Sequence, residues 1–89
     1  MDRDIAVVCD KDITIAQLTD CIKRGGGELL RSVKLFDIYT GSHIPDGKKS
    51  TAFSLRFRSN DKTLTDAESD DAVRKVLEKL AEELGAIIR

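Results

Sequence analysis

The sequence predicts an α+β fold: strands and helices in the order β-α-β-β-α-β, a four-stranded antiparallel sheet with two helices on one face. Three observations lead there. Two stretches, 15–22 and 72–84, carry apolar residues at helical spacing, each opened by a threonine three residues before a glutamine or glutamate. Between them, residues 29–58 read as two long strands joined by a loop that holds glycine, proline and aspartate. Short β-branched runs stand at the two ends of the chain, at 4–9 and 86–88.

Each element has its own warrant. Asp4–Cys9 (DIAVVC) forms the first strand, with Ile5 and Val7 toward the helices and Ala6 and Val8 away from them. Thr14 and Gln17 make a capping box, and Ile15, Leu18 and Ile22, with Cys21 alongside, give the first helix one apolar stripe. Gly25-Gly26-Gly27 is expected to end that helix, and because the triplet follows a helix it does not form a phosphate loop. Leu29–Thr40 is the second strand. Its apolar residues Val33, Leu35, Phe36 and Ile38 break strict alternation, so a bulge or strong twist is expected near Lys34–Leu35, beyond which Phe36 and Ile38 face the core. Pro45-Asp46-Gly47 marks the hairpin turn.

The third strand, Lys48–Arg58, alternates well: Phe53, Leu55 and Phe57 point inward, and Ser50, Ala52, Ser54, Arg56 and Arg58 point outward. Asn60–Thr63 is a polar turn. Thr65 and Glu68 cap the second helix, whose apolar face is Ala72, Val73, Val76, Leu77, Leu80 and Leu84, and Gly85 closes it before the final strand, Ala86–Ile88. This order is the ferredoxin-like arrangement. Right-handed crossovers put both helices on one side, so the opposite face of the sheet stays open.

Totals narrow the function. Eighty-nine residues supply one core and not two, so 1–89 is expected to be a single domain. With three Phe, one Tyr and no Trp, the core rests on Leu, Ile and Val. No apolar run approaches the roughly 18–20 residues of a membrane span and no signal-peptide pattern opens the chain, so a cytoplasmic protein with no membrane partner is expected. Cys9 and Cys21 are too far apart for a CxxC pair and one His stands alone, which argues for buried free thiols and against a metal site. The formal net charge is −1, but its distribution is uneven. Residues 23–62 hold nine bases against four acids, whereas 66–83 hold seven acids against three bases. The sheet half therefore suits an anionic partner despite the total.

Several motifs then add a family to the fold: Arg3–Val8 (RDIAVV), Leu35–Gly41 (LFDIYTG), Ile44–Ser50 (IPDGKKS), Phe53–Ser59 (FSLRFRS) and Thr63–Asp66 (TLTD). Together, in order and across essentially the whole chain, they resemble the C-terminal ferredoxin-fold anticodon-binding (FDX-ACB) domain of the bacterial-type phenylalanyl-tRNA synthetase β subunit. The resemblance implies an excised domain of a longer subunit, and a parent that joins phenylalanine to its tRNA with ATP and Mg2+ as an (αβ)2 heterotetramer. It implies that catalysis lies in the α subunit, so this domain alone is not an enzyme and needs no cofactor. Its partners would be the anticodon stem-loop of tRNA(Phe), the remainder of the β subunit and the α subunit. The competing reading is a ferredoxin-like regulatory or assembly domain without direct RNA contact.

The candidate RNA-binding residues are Asp37, Tyr39, Ser50, Ala6, Arg56, Ser54, Arg58, Lys48 and Lys49. Asp37 suits the amino and imino edge of a guanine, which phenylalanine tRNAs carry in the anticodon, or else a cross-strand ion pair with Arg56 or Arg58. Tyr39 offers a stacking ring, or packs on the Gly41–Gly47 loop. Ser50 offers a hydrogen bond to a base edge. Ala6 allows close approach, or merely fills space under its neighbours. Arg56, Arg58, Lys48 and Lys49 suit phosphates, whereas the bulge leaves Lys34 undecided. His43 lacks a partner for acid–base work and reads as a loop residue.

Overall fold

The computed structural model describes residues 2–59 and 63–88. Its elements are β1 (Asp2–Asp10), α1 (Ile15–Gly26), β2 (Leu30–Tyr39), β3 (Lys48–Phe57), α2 (Asp66–Leu84) and β4 (Ile87–Ile88), with a 3-10 turn at Gly27–Leu29. The sheet order is β2-β3-β1-β4, every neighbouring pair antiparallel. This is the predicted ferredoxin-like architecture. β1 starts two residues earlier than its β-branched run suggests, because its ladder with β3 continues out to Asp2↔Arg56 and Asp10↔Lys48. Of the expected Asn60–Thr63 turn, residues 60–62 lie outside the described residues.

Both capping boxes form. The Gln17 N–H donates to Thr14 Oγ1 at 3.1 Å and the Thr14 N–H to Gln17 Oε1 at 2.8 Å. The Glu68 and Thr65 pair repeats this at 3.1 and 3.2 Å. Each cap satisfies otherwise unpaired helix donors and is worth about 1 kcal/mol. From these starts the helices lay Leu18, Cys21 and Ile22, and Ala72, Val76 and Leu80, against one face of the sheet, where they bury Ile5, Val7, Cys9, Phe53, Leu55 and Phe57. The two thiols are free, and burial pushes both upward from the usual thiol range, so they stay protonated at neutral pH. Thr51 shares this face and is fully buried, its hydroxyl without a hydrogen-bond partner among the described residues.

The glycine triplet ends the helix as expected, and does more besides. α1 runs through Gly25 and Gly26, and only Gly27, at φ 62°, breaks it. At Gly25 the two helices touch: a Cβ there would lie 3.1 Å from both the Val76 Cα and the Lys79 Cβ. Ion pairs reinforce the contact. Arg24 Nη1 meets Glu83 Oε1 at 2.7 Å while its Nε meets Asp20 Oδ2 at 2.9 Å. Arg3 joins β1 to the start of α2 through Asp66 (3.2 Å) and Asp70 (3.3 Å). Arg24 holds the Glu83 carboxyl below the usual carboxylate range, and Arg74 does the same for Asp71. The acids of α2 thus serve largely as partners of nearby cations.

The expectation that Phe36 and Ile38 face the core is overturned. They are 54% and 50% exposed. The bulge falls between Leu35 and Asp37, so Phe36 has no cross-strand partner. β2 is also the outer strand, and the core reaches it only through Leu30, Val33 and Leu35. Ile38, opposite the buried Thr51, lies on the helix side but past the packed region.

Candidate functional site

Cross-strand register arranges the open face into rows. Following Cα partners, these are Ser32–Arg56–Asp2, then Lys34–Ser54–Asp4, then Asp37–Ala52–Ala6, then Tyr39–Ser50–Val8, with Lys48–Asp10 beyond. Partners in a row share a face, because side chains alternate along each strand, and successive rows lie about 7 Å apart. Lys34, undecided from sequence, is fixed on the open face by its pairing with Ser54.

The middle row is the least filled. Asp37 is exposed and makes no hydrogen bond or ion pair with another described residue. Beside it stand only the methyl groups of Ala52 and Ala6, both half-buried. The expected pairing with Arg56 does not form, because Arg56 Nε turns to Asp2 Oδ1 at 3.1 Å. Asp2 lies outside the strand that sequence marked, so nothing local pointed to this partner. Arg58 is exposed beyond the end of β3, with its N–H donating to the Leu29 carbonyl at 2.8 Å and its own carbonyl accepting from Arg31 Nε at 3.3 Å. Ser54 is half-buried next to Lys34.

The row of Tyr39 is more crowded than the sequence suggested. Tyr39 is 36% exposed and packs on the hairpin loop: a Cβ at Gly41 would lie 2.6 Å from its hydroxyl oxygen, so a larger residue there would push the end of the ring aside. Ser50, expected to offer a hydrogen bond to a base edge, is 2% exposed and does not present its side chain at the surface. It sits in register between the larger Tyr39 and Val8, which flank it on both sides.

The two adjacent lysines separate. Lys48 stays on the open face, half-buried, its Nζ paired with Asp10. Lys49 is in register with the buried Cys9, hence on the helix side, and its Nζ donates to the Ile13 carbonyl. Alternation counted from Ser50 already contained that result. The loop between β2 and β3 is held by Ile44 N–H to the Gly41 carbonyl (3.0 Å), Lys48 N–H to the Pro45 carbonyl (3.1 Å) and Lys11 N–H to the Gly47 carbonyl (2.9 Å). It encloses a shallow hollow of about 400 Å³ edged by Lys11, Thr40, Ser42 and Asp46, with His43 exposed nearby. Among the described residues no three His, Cys, Asp or Glu side chains gather as metal ligands would, and no helix is long and apolar enough to cross a membrane.

The ferredoxin-like fold is also what the family comparison returns. The family model that matches, over residues 1–89, is the ferredoxin-fold anticodon binding domain. The chain belongs to that family. It is similar to phenylalanine–tRNA ligase beta subunits from Bacillus subtilis (47% identical over 87 residues), Clostridium acetobutylicum (44% over 87) and Synechococcus elongatus (42% over 88). These alignments cover 98–99% of this chain and 11% of each relative, so the chain corresponds to a small part of those subunits.

Proposed function

We propose that this chain is one domain of a phenylalanine–tRNA ligase β subunit and that its open sheet face recognises the anticodon stem-loop of tRNA(Phe). The carrying observation is Asp37: an exposed carboxylate with no described partner, next to two alanine methyls. A base laid on Ala52 and Ala6 would bring its edge to that carboxylate, which accepts hydrogen bonds from the amino and imino groups of guanine. Tyr39 and Ser54 border this slot on either side, and Arg56 and Arg58 supply cations beyond it. Ser50 acts in this reading by packing beside Tyr39 in the same row. In the same reading the domain is non-catalytic and works within an (αβ)2 assembly in the cytoplasm, where the α subunit carries the chemistry that uses ATP and Mg2+.

Asp37→Ala is the direct test. A well-made polar contact to a base is worth about 1–3 kcal/mol of discrimination. The variant should lose that preference for a stem-loop carrying the anticodon guanine over one carrying adenine, while keeping most of its affinity. Equal weakening toward both loops would remove the base-reading role.

A second role has its own support. Phe36 and Ile38, together with Ile87 and Ile88 at 61% and 64% exposed, leave apolar surface at both edges of the sheet. That surface suits packing against the rest of the synthetase and is compatible with RNA on the open face.

A further inference from the structure

The cations of the open face are not spread evenly. Residues 31–34 of β2 and 54–57 of β3, with Arg58 just past its end, contain Arg31, Lys34, Arg56 and Arg58 and no acid. The acids at this end, Asp2 and Asp4, share the open face but lie on β1, across β3 from Lys34. Asp2 engages Arg56, whereas Lys34 and Arg58 have no side-chain partner among the described residues. At the opposite end the lysines are committed internally, Lys48 to Asp10 and Lys49 to the Ile13 carbonyl.

We infer that the nucleic-acid backbone crosses only the Lys34–Arg58 end of the open face, with Lys34 and Arg58 as its phosphate contacts, and that Lys48 and Lys49 take no part. This rests on the proposed RNA-binding role and gives it a direction. The Lys34 row lies about 7 Å from the Asp37 row and the Arg56 row about 14 Å, so a strand whose base enters the Asp37 slot extends its phosphates over the outer two strands. Lysine and arginine without an internal partner give up only water when they meet a phosphate. Lys48 would first have to leave a carboxylate, and Lys49 faces the wrong side.

The test measures the salt dependence of binding, using a 12-nucleotide oligouridine and the tRNA(Phe) anticodon stem-loop in parallel. For a single strand each phosphate contact contributes about 0.7 to the slope of log K against log salt. Lys34→Gln and Arg58→Gln should each reduce the slope by about that amount on both RNAs, and Lys48→Gln and Lys49→Gln should leave it unchanged. The inference is overturned if the first pair leaves the slope intact, if Lys48→Gln lowers it equally, or if the wild-type chain does not bind oligouridine at low salt. Should the slopes behave as expected while guanine and adenine loops bind alike, the backbone track stands and the base-reading proposal falls.

Discussion

On the helix side of the sheet the large residues of β3 are accounted for by their neighbours; on the open side several residues are not. Phe53, Leu55 and Phe57 are fully buried beneath two helices, and their alternation with Ser54 and Arg56 is what makes β3 a strand of this fold. On the open face, Asp37 of β2 has no partner among the described residues and lies in register with Ala52 and, beyond it, Ala6. Folding explains the first set completely. It gives no reason for the second, since an exposed carboxylate without a partner contributes little to stability. A surface whose chemistry folding does not require is where binding is most economically placed.

Breaking the covered face should have the largest consequence. Phe53→Ala is expected to cost about 3–5 kcal/mol, through lost burial and a residual cavity, whereas Asp37→Ala should stay within about 0.5 kcal/mol of wild type. Urea unfolding of the two variants would measure the contrast, and similar midpoints would abolish it. A change of opposite sign is expected at Thr51. Its buried hydroxyl lacks a partner among the described residues, and such a group costs about 1–3 kcal/mol. Thr51→Val should therefore raise stability by about 1 kcal/mol, seen as a higher urea midpoint.

The sequence revealed the covered face better than the open one. Threonine caps at 14 and 65, the helical stripes and the alternation of β3 are local patterns, and each produced the element expected. What it concealed depends on neighbours distant in the chain. Gly25 looks like a helix stop until α2 is seen to need its space. Phe36 looks like core until the bulge and the outer position of β2 expose it. Ser50 looks free until Tyr39 and Val8 are set on either side, and Arg56 finds an acid more than fifty residues away. For the candidate site, the sequence supplied the correct strand faces for Asp37, Tyr39, Ala6 and Ser54, but not which of their neighbours cover or engage one another.

The smallest effect concerns the acidic helix. Arg24 lowers the proton affinity of Glu83 in the folded chain, so this carboxylate stabilises the fold fully above the ordinary glutamate pKa of about 4.3. The contribution is lost as pH falls through the lowered folded value. Wild type should lose more stability than Glu83→Gln between about pH 6 and pH 3, measured by denaturation across that range. Parallel curves would mean that the pair is fully screened by solvent.

The most direct measurement is an amide-resolved NMR titration of the 89-residue chain with the tRNA(Phe) anticodon stem-loop. Perturbations should centre on Ala6, Asp37, Ala52 and Ser54 and leave the outward surfaces of α1 and α2 unmoved. Perturbations confined to the helices, with the Asp37 row silent at saturating RNA, would contradict the account.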